Sequence, residues 1–302
     1  MLPGSRRKSA PRLRLLVQGL FHRGSRPLHI VTFSVYNTAI AIHALATSTM
    51  ADSTKPEHLN TSALGTRAYW DSAYTTERTN FALDPADEGT VWFSDAGAEE
   101  RMLAFLESLA DVDVLHKEAD GEVAQGEEES DFALPTRFLD LGTGNGHLLF
   151  ALREDGWEGE MVGVDYSAES VRLAEEIKAS KGAEYEDVRF REFDILKGEA
   201  EKEWLGEGFD VVLDKGTFDA ISLSDEKDAQ GRRVAEGYRE AVEKLVKRGG
   251  RFLITSCNWT EEEVKGWFEG SELEYEDRAE YPSFTFGGKT GSSVCTLCFK
   301  RR

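Results

Sequence analysis

Arg137–Tyr166 reads RFLDLGTGNGHLLFALREDGWEGEMVGVDY, and this stretch decides the fold. A short apolar run, Arg137–Leu141, ends in three glycines at alternate positions, Gly142, Gly144 and Gly146, followed by Leu148, Leu149 and Leu152 at helical spacing. The pattern predicts a strand, a tight loop and a helix. A second apolar run, Met161–Val164, stops at Asp165, so the whole unit is a βαβ with an acid at the tip of its second strand. Such units hold a nucleoside-bearing cofactor over the carboxyl ends of the strands. Glycine lets the loop bend sharply and lets a ligand touch backbone, and Asp165 can accept hydrogen bonds from both ribose hydroxyls.

The glycine spacing bears on which cofactor. Dinucleotide folds use G-x-G-x-x-G with a pyrophosphate resting on the helix N-terminus. Here the glycines run G-x-G-x-G behind an acid, Asp140, which would repel an anion. S-adenosylmethionine has no phosphate and carries a sulfonium and an ammonium group, so an acid at that position suits it. The segment resembles motif I of the class I S-adenosylmethionine-dependent methyltransferases. The resemblance implies cofactor contacts from Asp140, Gly142, Thr143, Gly144, Asn145 and Gly146, and from Asp165 and Tyr166 downstream.

Moving outward toward the C-terminus, Ser167 is placed as a helix N-cap, with Val171, Ala174 and Ile177 on one face until Gly182. The next strand, Val188–Phe193, ends at Asp194, where such folds often hold the adenine amino group, so Asp194 and Ile195 join the cofactor residues. Phe209–Leu213 is apolar throughout, as a strand buried on both faces would be. Its tip, Asp214-Lys215-Gly216-Thr217-Phe218-Asp219, faces the same crevice and forms the acceptor side, with Asp214 also assigned to the cofactor. Val234, Tyr238, Val242, Leu245 and Val246 form a helical stripe closed by Gly249-Gly250, and Arg251–Thr255 makes a fifth strand leading into SCNWT. Tyr281–Lys300 alternates apolar residues around a glycine-rich turn, the signature of a hairpin. The expected fold is α/β and Rossmann-like, a mostly parallel seven-stranded sheet closed by this C-terminal antiparallel hairpin.

Toward the N-terminus, Asp111–Asp131 is acid-rich and aperiodic and reads as a solvated insertion. Ala98–Ala110 is an amphipathic helix through Met102, Leu103, Leu106 and Leu109. Tyr69, Trp70, Tyr74, Trp92 and Phe93 either pack a leading helix on the core or form a lid over cofactor and substrate. Residues 1–49 contain seven basic residues and no acid. They read as a mitochondrial transit peptide or as an extension ahead of a start at Met50, with the catalytic domain over residues 56–302. The full chain carries a net charge of −20, and the part after residue 49 is more acidic still. That surface is a poor match for nucleic acid, whose phosphates demand Lys and Arg, and a good match for a basic protein partner.

The segments LGTRAYWDSAY, Trp92-Phe93, LDLGTGNGHLL, VDYS, LDKGTFDAISL, ITSCNWT and SFTFGGKTGSSV occur in one order over about Pro56 to Lys300. Together they resemble the seven-β-strand protein-lysine methyltransferases that modify translation elongation factor 1-alpha. The resemblance implies methyl transfer from S-adenosylmethionine to a lysine of that factor, in the cytoplasm, by a monomer without metal or membrane. Acceptor-positioning candidates are Asp214, Phe218, Asn258, Trp259 and Trp92, none with a certain catalytic role. A mitochondrial location follows instead if residues 1–49 are a transit peptide. Lys215 reads as a structural salt-bridge partner, with the cofactor carboxylate or the substrate as alternatives, and His147 as a helix-start residue. Cys295 and Cys298, three apart in a strand, point to opposite faces and are read as buried packing residues. A small molecule or another protein as methyl acceptor, a nicotinamide oxidoreductase and a non-catalytic module on the same fold are the competing functions.

Overall fold

The computed structural model describes residues 55–119, 133–270, 272–282, 284–286 and 289–302. The basic extension of residues 1–49 and the greater part of the acid-rich insertion, 120–132, lie outside the described residues. The parallel strands are β1 (Phe138–Leu141), β2 (Met161–Asp165), β3 (Arg189–Glu192), β4 (Phe209–Lys215) and β5 (Val246–Ser256). Helices α1 (Arg67–Leu83) and α2 (Ala98–Ala110) precede them, α3 (His147–Glu154) joins β1 to β2, and α4 (Ala168–Ser180) joins β2 to β3. Short helices α5 (Lys202–Leu205) and α6 (Thr217–Ser222) flank β4, and α7 (Tyr238–Leu245) precedes β5. Helix α8 (Glu261–Phe268) leads to β6 (Leu273–Ala279), a ribbon of β7 (Phe284–Phe286) and β8 (Lys289–Gly291), and β9 (Cys295–Arg301).

The sheet order is β3-β2-β1-β4-β5-β9-β6, with β9 antiparallel to both of its neighbours. This is the seven-stranded class I methyltransferase arrangement. Alternation along the buried strands divides the core in two. Phe138, Met161, Val211 and Leu253 pack with Leu149, Leu152, Trp157 and Ile177 on one face. Leu139, Val162, Val212 and Ile254 pack with Tyr238, Val242, Phe268 and Leu297 on the other. Cys298 belongs to the first layer and Cys295 to the second, so the two thiols do face opposite ways.

Three local expectations change. The hairpin at 284–291 is a separate two-stranded ribbon, and β6 with β9 completes the sheet. Strand β6, LEYEDRA, buries only its end residues Leu273 and Ala279 and carries charge between them, so no apolar alternation announces it. Val246 belongs to β5, where it pairs with Phe209, and Gly249-Gly250 sit at a bulge inside the strand instead of ending a helix. Ser167 is the N-cap of α4 in position, but its hydroxyl donates to Asp71 Oδ1 at 2.6 Å and so ties α4 to α1.

Residues 111–119 are not a free tether. Leu115 is 4% exposed. The His116 N–H donates to Thr136 Oγ1, and the Thr136 N–H returns a bond to His116 O, both at 2.8 Å. Lys117 lies over the Trp157 ring and pairs with Asp155. The segment thereby closes the start of β1 against the α3–β2 turn. Leu115→Ala should lower unfolding free energy in urea by about 2–5 kcal/mol. A solvated tether would change it by about 0.5 kcal/mol or less.

Candidate active site

The carboxyl ends of β1 to β4 open onto a cavity of about 170 Å³. Their order across the sheet sets the order of its lining. Asp194 and Ile195 follow β3, Asp165 and Tyr166 lie at β2, Gly142 at β1, and Lys215, Gly216 and Thr217 at β4. Helix α1 and the loop after it supply the remaining wall through Arg67, Trp70, Tyr74 and Trp92. A smaller cavity of about 30 Å³ shares Tyr74, Trp92, Gly142 and Lys215 with the first and adds Glu99, Asp140, Thr143, Gly144 and Asn145.

The glycine loop is kept bare by its geometry. Gly142 and Gly144 both lie in the left-handed region, with φ of +63° and +60°, which disfavours any side chain. A Cβ on Gly142 would come 2.1 Å from Thr217 Oγ1, and one on Gly144 would come 2.9 Å from the Tyr74 hydroxyl. Thr217 Oγ1 in turn donates to Leu141 O at 2.6 Å and locks the β4 tip to the β1 tip. Gly146 has a packing role, because Phe190 occupies the space a side chain would need. Asn145 Nδ2 donates to Glu88 O at 3.0 Å and anchors the loop to the segment beyond α1.

Asp165 is 4% exposed and accepts from the Gly144 N–H at 3.2 Å and the Ser167 N–H at 2.9 Å. Burial pushes its carboxyl up to about 6, against those two N–H groups. Asp140 is pushed up to about 7 by burial, with the Lys215 charge among the opposing influences. Asp194 accepts from the Leu196 N–H at 3.0 Å and stays partly open to the cavity. Beside it, Arg67 stacks over the Tyr166 ring and donates to Glu192, closing the β2–β3 side.

The aromatic residues upstream form a wall of the cavity. Trp70 is fixed by its indole N–H to Leu64 O at 2.7 Å, stacks on Tyr74 and meets Trp92 edge-on at 5.5 Å. Helix α1 is held on α4 by Arg78, which pairs with Glu169 and Glu176. Phe93, next to Trp92, has a left-handed backbone with φ of +63°, a conformation costly for an aromatic residue, and its ring fills the place a Gly216 side chain would take.

Four of the five acceptor-side candidates lie outside the lining of both cavities. Asp214 has no exposed surface and lines neither cavity. Its carboxylate accepts from Thr217 N, Phe218 N and the Tyr238 hydroxyl, at 2.7, 3.0 and 2.7 Å. It therefore organises the β4–α6 turn from behind. Phe218 and Trp259 are 1% and 5% exposed and stack on each other inside the second core layer. Asn258 stands at the end of β5, outside the lining of both cavities. Trp92 alone among the five candidates faces the cavity.

A cluster that the sequence does not assemble lies beside the smaller cavity. His147, which does begin α3, places Nδ1 at 2.7 Å from Glu99 Oε2, and Lys215 Nζ lies 3.3 Å from Glu99 Oε1. Burial pushes the Glu99 carboxyl up, and His147 and Lys215 together more than offset it, so the net shift is downward. Glu99 raises His147 above its ordinary value against the effect of burial. Among the described residues no group of three or more His, Cys, Asp or Glu is placed to hold a metal ion.

The lining is rich in carboxylates, bare backbone and aromatic rings, a donor set that fits a cationic nucleoside. A methyltransferase domain family matches residues 135–292. The chain is 41% identical over 244 residues to the protein-lysine N-methyltransferase EFM4 of Saccharomyces cerevisiae, covering 81% of this chain and 97% of that one. It is 34% identical over 241 residues to the EEF1A lysine methyltransferase 2 of Homo sapiens, covering 80% and 87%. Among solved structures, the N-methyltransferase NodS of Bradyrhizobium japonicum in complex with S-adenosyl-L-homocysteine aligns with 76% of this chain and 98% of its own, at 13% identity and a TM-score of 0.46.

The enclosed Asp214 carboxyl makes stability depend on pH. Burial pushes its carboxyl up to about 7 in the fold, above the ordinary aspartate value. Its contribution to stability is therefore full below about pH 4 and is lost as pH rises through about 7. The Tyr238 hydroxyl serves the charged form. Tyr238→Phe should cost about 1–3 kcal/mol in urea unfolding at pH 8, and less at pH 5, where Asp214 is protonated. An equal cost at both values would show that the hydroxyl does not serve a carboxylate.

Proposed function

This chain belongs to the family of protein-lysine N-methyltransferases that holds EFM4 and EEF1A lysine methyltransferase 2, and from that membership we propose that it methylates a lysine of translation elongation factor 1-alpha with S-adenosylmethionine. The observation that carries this reading at the site is the single cavity that joins the Asp165 carboxylate at β2 to an aromatic wall of Trp70, Tyr74 and Trp92. One half is chemically suited to a nucleoside and the other to a cationic side chain.

Asp165, fixed by two backbone N–H groups and with the Ser170 hydroxyl beside it, has carboxylate lone pairs left to accept from ribose hydroxyls. Asp194 and Ile195 lie where the adenine would rest, and Gly142 and Gly144 let the ligand approach the backbone. S-adenosylmethionine, when bound, supplies an electrophilic methyl group on a positively charged sulfur. The protein has to align a neutral amine behind that methyl and keep water out. An ordinary lysine has a pKa of ~10.4, so offering it as free base near neutral pH costs on the order of 4 kcal/mol. The rings of Trp70, Tyr74 and Trp92 desolvate an entering ammonium, which lowers that cost, and their faces attract it while it is charged.

Among the described residues no helix is long and apolar enough to cross a membrane. We assign the protein to the cytoplasm, where its proposed substrate works.

The test is transfer of labelled methyl from S-adenosylmethionine to purified unmethylated elongation factor 1-alpha, with mass spectrometry to locate the product. Label on lysine is expected; label absent from the factor but present on another acceptor would move the substrate assignment. Asp165→Ala should weaken cofactor binding by more than about a hundredfold, the worth of two hydrogen bonds to a charged group. In the unaltered chain affinity should fall as pH drops below about 6, where Asp165 takes up a proton. Calorimetric titration that finds neither effect would remove Asp165 from the site.

A further inference from the structure

We propose that Lys215 is the clamp for the carboxylate of the cofactor's amino-acid end, and that Glu99 and His147 are the residues that position it. The inference rests on the cofactor reading above and extends it to the smaller cavity.

The order of the strand tips fixes which end of a nucleoside ligand meets Lys215. With Asp194 after β3 and Asp165 at β2, the base and ribose occupy the β3–β2 side, and whatever hangs from the ribose must run over β1 toward β4. That direction leads past Gly142 to Lys215, which lines both cavities, and then to Asp140 and Glu99 in the smaller one. An amino-acid end is a zwitterion. Asp140 is the acid that suits its ammonium, but Asp140 and Glu99 together would repel its carboxylate. Lys215 is the one cation among the residues that line the smaller cavity.

Its ammonium is also held still. The Lys215 side chain is 12% exposed. One donor goes to Trp92 O at 3.1 Å, and the ammonium forms an ion pair with Glu99 Oε1 at 3.3 Å. An ammonium has three donors, which leaves donor capacity for a ligand at the junction of the two cavities. Glu99 is not Lys215's alone, because its other oxygen meets His147 Nδ1 at 2.7 Å. A carboxylate divided between two donors holds Lys215 in place while competing less strongly for its charge. Because Trp92 and Lys215 are bonded directly, a ligand gripped by Lys215 is also placed against the aromatic wall where the acceptor amine would enter.

The test compares S-adenosylmethionine with decarboxylated S-adenosylmethionine, which lacks only the carboxylate, by calorimetric titration of the full chain. The unaltered protein should bind the parent about tenfold or more tightly than the decarboxylated form, as a charge-assisted contact requires. Lys215→Met should weaken the parent until the two differ by about twofold or less, with the decarboxylated form bound about as before. Glu99→Gln keeps Lys215 but loosens its hold and should reduce the preference to between that of the unaltered chain and that of Lys215→Met, with the decarboxylated form bound about as before, and it serves the test if the Met variant does not fold. Equal binding of both ligands by the unaltered chain would overturn the clamp while leaving the cofactor reading intact. Equal weakening of both by Lys215→Met would reduce Lys215 to a structural role. No binding of either ligand by the unaltered chain would overturn the cofactor reading and the clamp with it.

Discussion

The site depends on burying carboxylates at the ends of parallel strands. Asp140, Asp165 and Asp214 all stand at or near the carboxyl ends of neighbouring strands, and burial pushes each of them up, to about 7, 6 and 7. Desolvating a charge is costly unless something meets it. Each acid is met differently, and the difference assigns its work. Asp214 is enclosed by two N–H groups and the Tyr238 hydroxyl and becomes a structural knot. Asp165 has two N–H partners and lines the larger cavity, which leaves it available to a ligand. Asp140 faces the smaller cavity, across which Lys215 and Glu99 stand.

The second requirement is a wall opposite the strand tips, and the sheet cannot supply it. Helix α1 does so by lying along α4, held by Arg78 and by the Ser167–Asp71 bond. This fixes Trp70 and Tyr74 over the glycine loop, close enough that Gly144 must lack a side chain for the Tyr74 hydroxyl to fit. The leading helix and the loop after it are thus part of the cavity wall. Within the aromatic cluster, Trp70, Tyr74 and Trp92 line the cavity, and Trp70 also packs against Tyr69 and Tyr74.

Much of this is legible in the chain because parallel strands buried on both faces leave unbroken apolar runs. Strands β1, β2 and β4, the glycine loop and the Asp165 tip can be read by spacing alone, and Ala98–Ala110 is found at its observed bounds. Strand β6 escapes because one of its faces is solvated and charged. Four acceptor-side candidates stand outside the cavity linings for a different reason. Phe218 and Trp259 are large aromatics near a strand tip, and nothing in their identity says whether they turn toward the crevice or the core. The Glu99–Lys215–His147 cluster draws on α2, the β4 tip and the start of α3, elements far apart in sequence. The signals present are a lysine ending a buried strand and a glutamate on the first turn of an amphipathic helix, and neither points to the other without the fold.

In the proposed reading one ligand spans the strand tips from Asp194 to Lys215, with its methyl-bearing sulfur directed at the aromatic wall. The most direct measurement is a crystal structure of the chain with S-adenosyl-L-homocysteine, the product of the transfer. The account predicts both ribose hydroxyls on Asp165, adenine beside Asp194 and Ile195, and the amino-acid end over Gly142 with its carboxylate on Lys215. A ligand bound elsewhere, or bound in the cavity with its ribose away from Asp165, would contradict it.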